Sequence, residues 1–268
     1  MTMREARDWI VQRAVEGKPA LVVTSNINHL MLADTDPEFR TVVQHCELNV
    51  ADGWPLVAAS RLLGPALPQR VAGIDLVADV IACSESLRVA ILGGPPGSAE
   101  LLAARVARRH EVVLVDPLPA DRPLRIDSVP RLGVAMGLAS PNLVLIGLGA
   151  PKQELLADAL RSSVLGPIIC CGASIEVLSG MRRRAPTLVR RFGMEWAFRC
   201  ALEPRRLGGR YVKASSSFLH ILAEGRASRR AEPAATPPGP EDPPAVTAPG
   251  PDAHPHPSPT PPVIVNGR

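Results

Sequence analysis

Short apolar runs alternate along most of the chain with segments whose apolar residues recur at helical spacing. This alternation is typical of βαβ units, in which helices connect the strands of a parallel sheet. Runs rich in aliphatic and β-branched residues predict strands at 20–24, 47–50, 88–92, 111–115, 142–146 and 167–171. The pattern therefore predicts an α/β fold, with a Rossmann-like, mostly parallel sheet flanked by helices. Because parallel strands end at the same edge of a sheet, the polar and glycine-rich segments that follow them should meet in one crevice.

The pattern changes twice towards the C-terminus. Residues 195–230 are basic and amphipathic and include the run RCALEPRRLGGRYVK, which predicts a helical appendage. Residues 231–268 are rich in proline, alanine and glycine, and they cannot bury enough apolar surface to offset the entropy cost of ordering. We therefore expect an α/β domain at 1–194, a basic helical appendage at 195–230 and a disordered Pro-rich tail at 231–268.

Composition adds to this picture. Hydrophobic residues make up 46% of the chain but aromatic residues only 3%, which favours helices packed closely on a parallel sheet. The net charge is +4, arginines concentrate between residues 182 and 230, and we expect an anion-binding surface there and no nucleic-acid partner. The five cysteines have no CxxC spacing and are interpreted as buried, reduced thiols. With no leader and no apolar run near the ~20 residues that span a bilayer, we expect a cytoplasmic protein.

Two of the strand-to-helix loops are rich in glycine, in VAILGGPPGSAE (89–100) and in LIGLGAPKQE (145–154). Glycine lets the backbone turn sharply and direct amides at a phosphate, and the positive end of the next helix favours an anion. Glycine turns also occur for packing alone, and neither loop fits a Walker motif or the complete dinucleotide spacing. The candidate ligand-binding residues are Gly93, Gly94 and Gly97 in the first loop and Gly149, Lys152 and Gln153 in the second.

Polar side chains follow the first two predicted strands. The first strand leads into TSNINHL, which would place Thr24 and Asn26 in the crevice. Asp52 lies in ADGWP after the second strand, where Gly53 allows a sharp turn. A partly desolvated carboxylate at a strand end can take a proton from a substrate hydroxyl, so Asp52 is the candidate general base. An ordinary Asp-Gly turn is the alternative interpretation.

Two further segments have simple structural interpretations. Asp34 and Asp36 form a DTD string of the kind that can hold a divalent metal, but the following Pro37 favours Asp36 as a helix N-cap. The segment 70–75, RVAGID, predicts a loop, a capped helix and a surface ion pair.

Nine short motifs follow one another between residues 24 and 211: TSNINHL, ADGWPL, RVAGIDL, LGGPPGSAE, GLGAPKQE, GAS, RRAP, EWAFR and EPRR. In this order they resemble the WecG/TagA/CpsF family of bacterial glycosyltransferases. The resemblance implies an inverting transfer of a hexose or N-acetylhexosamine, typically of the N-acetylmannosamine type, from a UDP-sugar to a polyprenyl-diphosphate-linked saccharide. It implies no cofactor beyond this donor, and peripheral contact with the anionic inner face of the plasma membrane during cell-surface polysaccharide synthesis. The resemblance leaves open whether the protein forms a homo-oligomer.

The resemblance also implies roles for individual residues. Asp52 would be the general base, and the basic appendage would close over the site and meet the lipid diphosphate. Glycine-loop amides, helix dipoles and arginines would stabilise the departing UDP without a metal ion. The implied catalytic residues are Asp52, Arg70, Arg199, Arg206 and Arg210, and the implied pocket residues include Thr24, Asn26 and Gln153.

The chain departs from the family pattern after GAS, where many members have Phe-Asp and this chain has Ile175 and Glu176. We expect Glu176, whose side chain is one methylene longer than that of Asp, still to contact the nucleotide, but from a different distance. The runner-up function is a dinucleotide-dependent oxidoreductase of nucleotide sugars, but the chain lacks its complete GxGxxG motif and its ribose-binding acid. A non-catalytic nucleotide- or lipid-binding regulator is the third hypothesis.

Overall fold

The structure is a computed structural model that describes residues 1–116, 118, 128–191 and 195–202, together with residues 204, 205, 209, 218, 222 and 223. All of these residues belong to one compact unit that spans Met1–Ala231. The predicted tail at 231–268 lies outside the described residues.

The six predicted strands are confirmed, and their observed ends lie within one residue of the predicted ends. They are β1 (Ala20–Ser25), β2 (Leu48–Ala51), β3 (Arg88–Gly93), β4 (Glu111–Asp116), β5 (Leu143–Gly147) and β6 (Pro167–Cys170). All pairings between them are parallel, and the order across the sheet is β2-β1-β6-β5-β3-β4. The α/β prediction is therefore confirmed. The strand order differs from the 3-2-1-4-5-6 order of dinucleotide-binding folds.

Helices connect the strands and extend beyond the last one. They are α1 (Met3–Val15), α2 (Ile27–Thr35), α3 (Pro37–Gln44), α4 (Trp54–Leu63), α5 (Gly73–Val80), α6 (Ser98–Val106), α7 (Ser128–Ala139), α8 (Lys152–Leu160), α9 (Ser174–Leu178), α10 (Thr187–Arg191) and α11 (Glu195–Leu202). A 3₁₀ turn at Arg161–Ser163 follows α8. Asp36 caps α3 as predicted, since its Oδ1 accepts a hydrogen bond from the Phe39 amide at 3.0 Å.

The sheet is covered on both faces. Helices α1, α5, α6 and α9 pack on one face, and α3, α7 and α8 pack on the other. Neighbouring residues of a strand therefore enter different cores: Val89 and Ile91 of β3 belong to the first, Ala90 and Leu92 to the second. Burial on both faces explains why the strands appear in the sequence as continuous apolar runs.

Several pairs of neighbouring strands send their next helices to opposite faces. After β3 the chain forms α6 on one face, whereas after the adjacent β5 it forms α8 on the other. The same divergence separates β1, which leads towards α3, from the adjacent β6, which leads to α9. In open parallel sheets such divergences create the crevice in which ligands bind, at the carboxyl ends of the strands.

The cysteines are free, but only Cys170 and Cys171 are buried, whereas Cys46, Cys83 and Cys200 are partly exposed. The prediction of five buried thiols was therefore wrong for three of them. Burial raises the pKa of the Cys171 thiol to about 12, so this thiol is unreactive. Within the described residues, no helix combines the length and the apolar character needed to cross a membrane.

Candidate active site

The carboxylate of Asp52 lies at the carboxyl edge of the sheet, where β2 ends. Ser25 of β1 is aligned with Ala51 of β2, and the Asp52 amide then donates a hydrogen bond to the Ser25 carbonyl at 2.7 Å. This bond extends the β1–β2 ladder by one step before Gly53 begins the turn into α4. The side chain of Asp52 is 29% exposed, so solvent and a substrate can reach it.

Thr24 and Asn26 lie at the same edge, at the end of β1. Thr24 is buried, and its hydroxyl donates to the Cys170 carbonyl of β6 at 3.2 Å. Asn26 is the N-cap of α2, and its Oδ1 accepts from the Asn28 amide at 3.0 Å. The two residues are where the sequence places them, each with a hydrogen bond inside the protein. Their binding of substrate stays a prediction.

Alternating acidic and basic side chains run from Asp52 to the start of α5. Arg70 lies with its Nε 4.0 Å from Asp52 Oδ1 and its Nη2 3.5 Å from Glu195 Oε2. Glu195 Oε1 is 3.9 Å from Arg184 Nε, and Arg184 binds both oxygens of Asp75, at 2.6 and 2.7 Å. We call Asp52, Arg70, Glu195, Arg184 and Asp75 the ion-pair chain. It ties α11, which begins at Glu195, to the edge that carries Asp52.

The partners in this chain correct one expectation. Helix α5 follows a loop as predicted, but its N-cap is Ala72 and makes no side-chain cap. Asp75 pairs with Arg184, which the sequence separates from it by 109 positions. The Arg184 guanidinium holds the pKa of Asp75 below its ordinary value, although partial burial opposes the shift. Asp75 is therefore an anion that helps to orient Arg184.

The two glycine-rich loops lie side by side at the β3–β5 divergence. The Gly94 amide donates to the Gly147 carbonyl at 2.9 Å, and Ile175 of α9 fills the space beneath both residues. A Cβ on Gly94, which has φ +91°, would lie 2.8 Å from Ile175 Cγ2 and would also meet Ser98 Oγ. A Cβ on Gly147 would lie 2.6 Å from Ile175 Cδ1. Close packing therefore accounts for these glycines, and phosphate binding by the loops stays a prediction.

Gln153 joins two loops through its side-chain oxygen. Its Oε1 accepts from the amides of Gly149, after β5, and of Gly172, after β6, at 3.1 and 3.0 Å. The residue is 3% exposed. The sequence predicts Gln153 and Gly149 as ligand-binding residues, whereas in the structure they bind each other. Gln153 therefore joins the loops after β5 and β6, and its contact with a ligand stays a prediction.

A buried acid and a buried histidine lie behind Gln153. The Gln153 Nε2 donates to Glu154 Oε1 at 2.7 Å, and His29 Nε2 lies 3.2 Å from the same oxygen. His29 Nδ1 accepts from the Asn26 amide at 3.4 Å, which places the ring proton of the neutral imidazole on Nε2, facing the carboxylate. Glu154 is 0% exposed and His29 is 6% exposed. We call His29, Gln153 and Glu154 the buried network.

The remaining candidates are distributed along the same edge. Glu176, in the first turn of α9, forms an ion pair with Arg182 at 3.0 Å. Gly93 ends β3, Gly97 is the N-cap of α6 with φ +82°, and Lys152 is the first residue of α8.

The structure describes only part of the appendage that carries the three predicted arginines. Arg199 lies in α11, but its side chain is outside the described residues. Arg206 and Arg210 lie outside them altogether. The predicted roles of these three arginines stay predictions.

The sequence candidates did not include four residues of the ion-pair chain and the buried network. These are His29, Glu154, Arg184 and Glu195. Each lies within one of the motifs quoted above, TSNINHL, GLGAPKQE, RRAP and EWAFR, so motif membership was the available signal. The contacts of His29 with Glu154, of Arg184 with Asp75 and of Glu195 with Arg70 each join residues more than 100 positions apart, and spacing does not reveal them.

A partly exposed carboxylate beside a guanidinium, at the carboxyl edge of a parallel sheet, is the arrangement of an α/β enzyme that acts on a polar ligand. Among the described residues, no three histidine, cysteine or acidic side chains come together as metal ligands. Residues 1–232 match the model of the glycosyl transferase WecG/TagA/CpsF family, and the chain belongs to this family. It is therefore a glycosyltransferase.

The chain is also similar to curated enzymes from Staphylococcus aureus. The matched proteins of strains NCTC 8325 / PS 47 and COL are each an N-acetylglucosaminyldiphosphoundecaprenol N-acetyl-beta-D-mannosaminyltransferase. Each is 26% identical over 211 residues, which cover 76% of this chain and 80% of the relative.

Proposed function

We propose that the protein transfers an N-acetylhexosamine of the mannosamine type, or a related hexose, from a UDP-sugar to a polyprenyl-diphosphate-linked saccharide, with inversion at the anomeric carbon. The family match and the relatives, whose name specifies a diphosphoundecaprenol-linked acceptor and a mannosaminyl product, support this proposal. The lipid acceptor would bring the enzyme to the inner face of the plasma membrane as a peripheral protein. The product would serve cell-surface polysaccharide synthesis.

Asp52 is the proposed general base. An acceptor hydroxyl that approaches the edge of β2 gives its proton to the Asp52 carboxylate while its oxygen forms the new bond to the anomeric carbon. The bond from that carbon to the UDP oxygen breaks, and UDP leaves with the electron pair. The partly exposed position of Asp52 supports this role, and Arg70, with its Nε 4.0 Å away, places a positive charge beside the carboxylate.

Cations and helix ends would stabilise the diphosphate of UDP in place of a resident metal ion. The N-termini of α6 and α8 both point to the crevice edge, and each carries about half a positive charge. Lys152 begins α8, and Arg199, Arg206 and Arg210 of the appendage are the proposed cations for the departing group or the lipid diphosphate. Glu176 would contact the nucleotide from α9.

The observation that carries the proposal is the position of Asp52, a reachable carboxylate beside Arg70 at the β2 end, in a chain of this family. The test is a screen of UDP-sugars with a short-chain polyprenyl diphosphate saccharide, in which UDP release and the anomeric configuration of the product are measured. Release that needs the lipid acceptor, with an inverted product, is the expected result. A retained configuration, or no transfer from any UDP-sugar, would contradict it.

The variant Asp52→Asn tests the base. Turnover should fall by about 10²–10⁴-fold because the amide cannot take the proton. Affinity for UDP, measured by titration calorimetry, should stay within a few-fold of the unmodified protein. Asp79→Asn is the matched control, since Asp79 is an exposed acid on α5. Equal loss of turnover and UDP affinity would make Asp52 a structural residue.

A further inference from the structure

A continuous set of hydrogen bonds crosses the carboxyl edge of the sheet from β1 to β6. It starts at the Asn26 amide after β1, passes through His29 to Glu154, and continues through Gln153 to the amides of Gly149 and Gly172. The segments that follow β1, β5 and β6 are thereby joined by side chains rather than by the sheet. Two of these segments follow the neighbouring strands β1 and β6, whose next helices pack on opposite faces, and ligands of open parallel sheets bind at such places.

Glu154 is the centre of this set. One of its oxygens, Oε1, accepts from both Gln153 and His29, while Oε2 is buried and has no hydrogen-bond partner in the described part of the chain. A buried carboxyl group in which one oxygen accepts two hydrogen bonds and the other accepts none is costly to keep in a protein interior, because the second oxygen has lost its contacts with water. Its place as the third residue of α8, near the positive helix end, offsets part of that cost.

The hydrogen bonds of Glu154 fix which way the Gln153 amide points. The Gly149 and Gly172 amides are donors and require an oxygen opposite them, whereas Glu154 Oε1 is an acceptor and requires the NH₂ group. A rotated Gln153 amide would lose all three hydrogen bonds, so Glu154 adds to the preference of the two glycines and keeps Oε1 on them. The same carboxylate holds the tautomer of His29 and so the cap of α2 at Asn26.

We propose that Glu154 is a positioning residue, which sets the relative places of the loops after β1, β5 and β6 and thereby the shape of the donor end of the site. It acts through Gln153 and His29, because a side chain with 0% exposure cannot touch a ligand at the protein surface. Its effect on the donor rests on the proposed function, whereas its effect on the loops does not.

The comparison of Glu154→Met with Glu154→Gln tests this role. Glutamine keeps an oxygen for Gln153 and His29 and places its NH₂ group where Oε2 has no partner, whereas methionine has a similar length and removes both acceptors. For the methionine variant we expect UDP affinity to fall and the donor KM to rise by about tenfold, with a smaller change in kcat. The glutamine variant should stay within about threefold of the unmodified protein. Glu38→Met, at an exposed acid in the first turn of α3, is the matched control.

Amide hydrogen exchange gives a readout that does not depend on activity. In Glu154→Met the Gly149 and Gly172 amides should exchange about tenfold faster, while the Glu111 amide, which donates to Leu87 at the other edge of the sheet, should not change. A lower melting temperature with unchanged exchange at the two glycines and unchanged UDP affinity would overturn the proposal. If exchange changes as expected but the unmodified protein binds no UDP, the proposed function fails and the positioning role stands.

A second variant covers the case in which Glu154→Met does not fold. His29→Met removes one donor to Glu154 and the contact with the Asn26 amide, but leaves the bond from Gln153. UDP affinity should fall by about threefold, in the same direction as for Glu154→Met. An unchanged affinity, with unchanged exchange at Gly149, would also overturn the proposal.

Discussion

The two sides of the site are held together by different forces. On the side of β1, β5 and β6, the buried network joins loops through hydrogen bonds of 2.7 to 3.4 Å made by three side chains that solvent hardly reaches. On the side of β2, the ion-pair chain joins side chains that are 13–39% exposed, and some of its contacts are as long as 3.5 to 4.0 Å.

This difference separates a rigid part of the site from an adjustable part. Hydrogen bonds in a low-dielectric interior are strong and are not screened by salt, so the buried network suits a fixed pocket wall. Partly exposed ion pairs are each worth about 0–1 kcal/mol and are screened by salt. The ion-pair chain, which includes the proposed base, therefore suits a surface where charged substrates come and go.

The largest effect on stability is expected from the buried network. In Gln153→Met the amides of Gly149 and Gly172 lose their acceptor, and the free energy of unfolding should fall by about 1–3 kcal/mol, since both amides are only partly buried and water can replace some of the loss. Urea denaturation measures the change. Gln12→Met, at an exposed glutamine of α1, is the control and should change little. A loss as small as that of the control would mean that the network adds nothing to stability.

A smaller and salt-dependent effect is expected from the ion-pair chain. In Glu195→Gln the stability should fall by about 1 kcal/mol at low salt, because Arg70 and Arg184 each lose one carboxylate but keep another. At about 1 M salt the screening length shortens to about 3 Å, and the difference should largely disappear. Urea denaturation of Glu195→Gln and Gln153→Met at both salt concentrations measures this. Equal salt dependence in the two variants would remove the distinction between the two sides.

The sequence predicted the sheet and the edge of the site, because both depend on local pattern. Continuous apolar runs gave the strands to within one residue, and Asp36 before Pro37 gave the cap of α3. The positions of Thr24, Asn26 and Asp52 followed from the strand ends alone.

The contacts of charged and polar side chains could not be predicted in the same way. Arg70 and Asp75 are five positions apart and invite an ion pair, yet each binds a residue more than 100 positions further along the chain. Gln153 has the same chemistry whether it binds a ligand or two backbone amides. Gln153 binds the two amides because β5 and β6 pair side by side, which brings Gly149 and Gly172 within reach of one side chain, and this pairing is a property of the folded sheet.

The smallest effect is expected from Asp75, and it should depend on pH. Arg184 lowers the pKa of Asp75 in the folded protein from its ordinary value of 3.8, so the unfolded chain takes up this proton more readily. The ion pair therefore stabilises the fold above that value, and its contribution is lost as the pH falls through the lower, folded value. Asp75→Asn should cost about 0.5 kcal/mol near neutral pH, because a side chain 39% exposed is well screened, and the difference from the unmodified protein should narrow in acid. Urea denaturation across this pH range, with Asp79→Asn as the control on the same helix, measures it. A difference that stayed constant into acid would mean that Asp75 stabilises the fold by packing rather than by charge.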